Sequence, residues 1–238
     1  MNYELSILIV TAVSIGFFHT LFGPDHYLPF IVMAKARNWS LIKTSWITVL
    51  CGLGHVGSSI VLGLLGVAFG IAIGKIEIFE SFRGNLAAWL FIGFGFGYMI
   101  YGIKRAIKNK PHHHKHIHDD GVEHVHIHSH SDEHSHVHAT EEGKKNITPW
   151  ILFTIFVFGP CEPLIPLLMY PAAQDSMGGM ILVTIAFAIV TILTMLSVVL
   201  LASFGINLLP FGKIEKYTHA IAGATIMISG LGIQFLGL

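Results

Sequence analysis

Long stretches without a charged side chain constrain this sequence more than any other feature. Asp, Glu, Lys and Arg are absent from residues 5–24, 44–74, 84–103, 146–161, 163–174, 176–212 and 217–238. About 20 apolar residues are enough to cross the hydrocarbon core of a bilayer. With 53% of its 238 residues hydrophobic and 12% charged, the chain carries more apolar surface than a soluble core of this size can bury. We therefore predict an all-α, multi-pass membrane protein.

The charge-free runs and the basic residues together predict a topology. If the runs on either side of Glu162 form one interrupted span, the chain has six transmembrane helices. The first run has no Lys or Arg before it and no small-residue cleavage pattern after it, so we expect it to be retained. Lys and Arg concentrate in alternate loops, whereas on the opposite side Lys75 and Arg83 are offset by Glu77 and Glu80. Because Lys and Arg favour the cytoplasmic side, both termini should lie outside the cytoplasm, in the cell (cytoplasmic) membrane, with the long central loop inside.

The two halves of the sequence resemble each other. A shift of 136 residues places FGPDHYL (22–28) on FGPCEPL (158–164), with four of the seven residues identical. The same shift aligns the later charge-free runs. Each half holds three spans, so the second copy must enter the membrane from the opposite side, which predicts a 3+3 inverted repeat. The predicted organisation is repeat 1 over residues 1–110, a His-rich cytoplasmic loop over 111–146, and repeat 2 over 147–238.

Both copies of the repeated segment contain a Gly-Pro pair, and we predict that the first helix of each half is broken there. Pro24 and Pro160 cannot donate a backbone hydrogen bond, and each ring clashes with the preceding turn. Breaks at matching positions of two halves indicate a substrate site near the middle of the membrane. The alternative is that both prolines are kinks used for packing, since proline is common in membrane helices.

Ionisable side chains stand at both predicted breaks. Asp25 and His26 occupy the first break, and Cys161 and Glu162 occupy the same two places in the second. An ionisable group near the bilayer centre is costly, so it marks a functional site. If the two pairs meet across the axis, they offer the mixed N, O and S ligands that a borderline transition metal accepts. Asp25 could instead cap the half-helix that follows the break.

Further polar residues extend this predicted metal site. His55 is expected to be a third kind of ligand, although a buried imidazole bonded to a carbonyl is the alternative. His19, Thr191 and Thr194 are expected either to ligate the metal or to bind its ligands and water, whereas membrane threonines also bond their own helix backbone. The chain has two cysteines, too few for a disulfide framework, and Cys51 is expected to be packing.

Small residues also recur at helical spacing. Gly66, Gly70 and Gly74, and then Gly93 and Gly97, are each four residues apart. This spacing predicts close helix contacts in the membrane.

The central loop contains twelve of the sixteen histidines. Neutral imidazoles at this density chelate divalent transition metals. The alternative is a spacer between the two halves. The predicted loop ligands are His112, His113, His114, His116, His118, His124, His126, His128, His130, His134, His136 and His138.

The inverted halves, the His-rich loop and the Asp25-His26 pair resemble the NicO-type nickel/cobalt transporters and the related UreH and TauE/SafE-like proteins of the LysE-type superfamily. Nickel permeases carry His-x4-Asp-His, whereas this chain has His19-x5-Asp25-His26. The resemblance implies that Asp25 and His26 bind the metal. We therefore expect a secondary transporter rather than an enzyme, moving nickel or cobalt (or zinc or iron) outward. Its expected partners are the lipid bilayer, the metal ion and protons exchanged for it, and no nucleic acid.

Two other functions remain open at this point. The second copy also resembles the thiol-disulfide electron carrier CcdA, in which each half brings a Pro-flanked cysteine. Here Cys161 keeps that setting but Asp25 stands at the matching place. The third possibility is an exporter of a sulfur oxyanion or small organic anion, held at half-helix ends.

Overall fold

The computed structural model describes residues 3–108, 112–117, 123–128, 147–174, 176–208 and 212–237. The membrane part consists of helices. Their bounds are α1 (Tyr3–Phe22), α2 (Leu28–Ala36), α3 (Leu41–Ala68), α4 (Ile73–Lys108), α5 (Thr148–Phe158), α6 (Leu164–Ala173), α7 (Met177–Leu208) and α8 (Thr218–Leu236), with short 3-10 helices at Pro24–His26 and Gly212–Tyr217. Two antiparallel strands, β1 (His112–Ile117) and β2 (Glu123–His128), lie within the His-rich loop.

The chain is a polytopic membrane protein. In the part of the chain that the structure describes, five helices are long and apolar enough to cross a bilayer: α1, α3, α4, α7 and the segment Ile214–Leu236. Large apolar side chains remain exposed along them, among them Val10, Val61, Trp89 and Leu201. A soluble protein rarely leaves so much apolar surface in water, so these side chains face lipid.

Both Gly-Pro pairs interrupt a helix, as the sequence predicts. α1 ends at Phe22, and a 3-10 turn precedes α2; α5 ends at Phe158, and α6 starts only at Leu164. The proline of each pair follows directly after the glycine, where it cannot continue the preceding hydrogen-bond ladder. Each break therefore leaves a segment outside the α-helices: a 3-10 turn in the first half and irregular backbone in the second.

The predicted start of the third span at residue 84 is wrong. α3 ends near Gly70, which has φ +61°, and α4 already begins at Ile73. Lys75, Glu77, Glu80 and Arg83 therefore belong to a helix and not to a loop. Glu80 and Arg83 are buried beside each other, and this pairing removes the reason for placing their charges outside the membrane.

Helices α4 and α8 pack with their backbones almost touching. A Cβ added to Gly95 would lie 2.3 Å from the Met227 nitrogen, and one added to Gly223 would lie 2.2 Å from the Met99 nitrogen. Small residues allow this approach, which maximises van der Waals contact between membrane helices. The predicted close contacts at Gly70, Gly74, Gly93 and Gly97 are wrong, because a Cβ at any of these positions would meet nothing within 4 Å.

The variant Gly95→Ala should separate α4 from α8, because the new methyl group would meet backbone atoms that cannot rotate away. Overpacking of this kind costs about 1–3 kcal/mol. We expect a lower thermal unfolding temperature in detergent, with Gly97→Ala as the matched control that leaves it unchanged. Equal unfolding temperatures for the two variants would contradict the observed packing.

Candidate functional site at the two helix breaks

The two breaks line one cavity of about 760 Å³. Its wall combines residues of both halves with side chains from α1, α3 and α4. The first break contributes Gly23, Asp25 and His26, and the second contributes Gly159, Pro160, Glu162 and Pro163. Five predicted site residues therefore face one space: His19, Asp25, His26, His55 and Glu162.

The first break is closed by its own histidine. His26 is buried, and its Nδ1 lies 3.2 Å from the Gly23 carbonyl oxygen and 3.2 Å from Asp25 Oδ1. Both partners are acceptors, so we assign the ring proton to Nδ1, and the lone pair then belongs to Nε2. Gly23 has no room for a side chain here, because a Cβ would lie 2.4 Å from His26 Nδ1.

Two more imidazoles meet His26. His19 reaches it from α1, with ring centroids 4.8 Å apart, and His55 from α3, at 5.0 Å. Both ring pairs are close to perpendicular, at 80° and 89°. One nitrogen of each ring lies within 4.8 Å of the others. The residue that the sequence analysis placed only as an additional group, His19, is therefore in direct contact with His26.

The second break is closed by a buried polar network from α3 and α4. Arg83 pairs with Glu80, and its Nη2 donates to Ser58 Oγ at 2.6 Å and to the Val157 carbonyl at 2.8 Å. Val157 belongs to the last turn of α5, whose carbonyls have no partner within the helix. Arg83 therefore binds the end of a helix that the proline has cut short.

Cys161 is attached to the same network. Its backbone N–H donates to Ser59 Oγ at 3.2 Å, and Ser59 in turn donates to Glu80 Oε1 at 3.1 Å. The Cys161 side chain is fully buried among apolar groups that include Val56 and Phe187. The network of Ser59, Glu80 and Arg83 is not among the sequence predictions, because the sequence predicts a loop where both charges stand. The three-residue spacing of Glu80 and Arg83, which puts both on one helical face, was the signal available.

The two cysteines are both buried and both free. Cys161 meets α3 at Ser59, whereas Cys51 lies eight residues earlier on that helix. Eight residues correspond to a rise of about 12 Å along a helix. Cys51 packs in a different apolar cluster, with Phe30, Met33 and Met195 as members. The two thiols are therefore not bonded to each other in this conformation.

The remaining predicted site residues are distributed around these clusters. His55 lies against the second break, since a Cβ on Gly159 would be 3.1 Å from its Nδ1. Thr191 is buried on α7 and faces Gly16 of α1, and Thr194 is buried one turn later. Among the residues described, the group with close donor atoms consists of three histidines, and it includes neither Cys161 nor Glu162.

The His-rich loop is described only as backbone, and only in part. The register of β1 and β2 places His112 opposite His128, His114 opposite His126, and His116 opposite His124. His113 also lies in β1. The other predicted loop ligands, His118, His130, His134, His136 and His138, lie outside the described residues. Metal binding by this loop stays a prediction.

Comparison with known proteins identifies the membrane part. A family model described as the cytochrome c biogenesis protein transmembrane region matches residues 28–232. No curated protein and no solved structure matches the chain. The matched region contains Cys51, His55 and Cys161, and it begins two residues after His26.

This match corrects the sequence analysis. The resemblance to NicO-type, UreH and TauE/SafE-like proteins is wrong, and so is the function taken from it, secondary transport of nickel or cobalt. The match favours the CcdA-like carrier that the setting of Cys161 also suggested. The physical reason for the error is that an Asp-His pair and a His-rich loop indicate only that metal-binding side chains are present. Unrelated membrane proteins can share such side chains.

The buried Glu80–Arg83 pair predicts a specific mutational pattern. Glu80→Gln should leave the Arg83 charge buried without a counter-charge, and breaking a buried pair costs about 3–5 kcal/mol. Replacing both residues, as Glu80→Gln with Arg83→Met, should recover part of that loss. Thermal unfolding in detergent measures it, with the exposed Glu77→Gln as the matched control. A double variant that is less stable than Glu80→Gln would contradict this account.

Proposed function

Because the chain belongs to the family of cytochrome c biogenesis transmembrane proteins, we propose that it carries reducing equivalents through the membrane by thiol–disulfide exchange. The position of Cys161 is the observation that supports this most directly. It is the one cysteine at a helix break, next to Glu162, which lines the central cavity. Its backbone is held by Ser59, so the thiol has a defined place.

The exchange would pass through mixed disulfides on Cys161. The Cys161 thiolate attacks one sulfur of a protein disulfide; that S–S bond breaks, and the released sulfur takes up the proton that Cys161 gave up. A protein dithiol from the other side attacks the Cys161 sulfur and releases the second thiol of the first partner. The remaining thiol of that dithiol then displaces Cys161. Two electrons and two protons pass from dithiol to disulfide.

The non-helical segment around Cys161 would have to open for this chemistry, because the side chain is fully buried. Residues 159–163 lie outside the flanking helices and contain two prolines. A segment outside regular helix, with prolines that donate no backbone hydrogen bond, opens at a lower cost than the helices on either side. The alternative of an anion exporter has no support from the cavity, where Asp25 and Glu162 are both acidic.

We also propose that the chain has six spans arranged as an inverted repeat. Helices α2 and α6 begin at residues 28 and 164, and α3 and α7 begin at 41 and 177, so both pairs keep the offset of 136. Each half also packs on the other half in the equivalent manner. In the first half α1 and α2 contact α7, and in the second half α5 and α6 contact α3. In this arrangement α5 and α6 together form the interrupted fourth span.

The distribution of Lys and Arg supports both termini outside the cytoplasm and the His-rich loop inside. Alkaline phosphatase folds only outside the cytoplasm, whereas green fluorescent protein matures inside. We expect a C-terminal phosphatase fusion to be active and a fluorescent protein inserted between residues 128 and 147 to fluoresce. The reverse result for both reporters would refute this orientation.

The proposed electron transfer depends on Cys161 and not on Cys51. In proteoliposomes with a protein dithiol inside and a protein disulfide outside, Cys161→Ser should reduce disulfide reduction to the rate of empty liposomes. Cys51→Ser, the matched control in a separate apolar cluster, should retain transfer. When the reactions are stopped with acid and alkylated, Cys51→Ser should show a mixed disulfide with the partner protein. Cys161→Ser should show none.

Two outcomes would count against the proposal. Transfer that survives Cys161→Ser would mean that another group carries the electrons. Loss of transfer in both variants would mean that Cys51 and Cys161 act as a pair, which requires α3 to move relative to the second break.

A further inference from the structure

Three buried ring nitrogens at the first break have no hydrogen-bond partner. They are Nε2 of His19, His26 and His55. A buried polar atom without a partner is costly, and such atoms are uncommon in folded proteins. Each of the three rings also has one nitrogen within 4.8 Å of a nitrogen of the other two, so the cluster indicates one ligand that the three imidazoles share.

The orientation of His26 is that of a metal ligand. Its Nδ1 is bound to the Asp25 carboxylate and the Gly23 carbonyl, which leaves the Nε2 lone pair free. Histidines that bind metal commonly donate the other ring N–H to a carboxylate or a backbone carbonyl, which sets the tautomer and raises ligand basicity. The contact between Asp25 and His26 is the arrangement expected behind a metal-binding histidine, and a chance cluster of imidazoles would not require it.

The surroundings suit a cation with an open coordination position. The three histidines line the central cavity, whose wall also carries the Asp25 and Glu162 carboxylates. Three imidazoles with room for water or another molecule at the fourth position form the ligand arrangement of open zinc sites. The nitrogens lie up to 4.8 Å apart, so small ring rotations would bring them onto one ion.

We propose that His19, His26 and His55 hold one resident borderline transition-metal ion, of the zinc or copper class, and that Asp25 orients His26. The ion stays bound and is not cargo, so the proposal is independent of any transport activity. It goes beyond the thiol chemistry proposed for Cys161, which lies at the other break. Nitrogen-only coordination by imidazole suits zinc and copper and does not need the thiol.

The experiment uses full-length protein, purified without a histidine tag, in which the twelve loop histidines are replaced by asparagine so that they do not bind the probe. Titration with Co²⁺ should show one tightly bound equivalent, with the intense visible absorption of a four-coordinate ion. Zn²⁺ should displace it and raise the thermal unfolding temperature. His26→Asn and His55→Asn should each abolish the absorption band.

His219→Asn is the matched control. His219 is also buried, but both of its nitrogens have partners, Tyr98 Oη at 2.7 Å and an Arg105 nitrogen at 3.0 Å. This variant should bind Co²⁺ as the parent does. Asp25→Asn should keep the stoichiometry and weaken affinity by about 10–100-fold, the usual effect of losing a carboxylate behind a ligating histidine.

The parent titration is decisive even if a variant does not fold. No tight equivalent of either metal in the parent would overturn the proposal, and so would unchanged binding in folded His26→Asn and His55→Asn proteins. Because the readout is binding and not electron transfer, this result leaves the test of Cys161 unaffected, and each proposal can fail alone.

Discussion

The structure depends on how unpaired backbone groups are satisfied inside a bilayer. The hydrocarbon of a membrane offers no water to a carbonyl at the end of a broken helix, so each break needs partners from the protein or from a water-filled cavity. The first break is paired locally, by His26 with Gly23. The second is paired from a distance, by Arg83 of α4 with Val157 at the end of α5. The Glu80 carboxylate then balances the buried charge of Arg83.

These two solutions make the cavity chemically asymmetric. The first break carries imidazoles and a carboxylate that line the cavity, whereas behind the second break lie a buried thiol held by a serine, an ion pair and a helix end. Similar halves can thus diverge at the two positions that follow each Gly-Pro pair. The family relationship supports redox work for the thiol side, while the geometry of the imidazole side supports a bound cation. Neither role requires the other, since Cys161 does not line the cavity with His26 and, among the described residues, no hydrogen bond connects His26 with Cys161.

Several features could be predicted from individual residues. Pro24 and Pro160 predicted the breaks because proline lacks an N–H wherever it stands. The polarity of His26 and His55 indicates a functional site because apolar surroundings make polar groups costly; the structure shows that the two rings meet, and their function stays a prediction. The loop between α3 and α4 is shorter than the sequence predicts, because Glu80 and Arg83 belong to α4 and are buried as a pair, and such pairing depends on neighbouring helices. The family assignment failed for a related reason: short motifs describe ligand chemistry and not the whole chain.

The sequence by itself determined that this chain spans a membrane, because hydrophobicity is a property of short windows of residues. It also determined where the helices break, because the missing N–H is a property of each proline. Only the tertiary structure decided which polar groups meet. The 3-10 turn at Pro24–His26 brings His26 back against His19 of α1, and α3 supplies His55. The packing of the second break on α3 places Cys161 beside Ser59, which lies two helical turns from Cys51. Such contacts depend on how whole helices pack, and no local pattern encodes that.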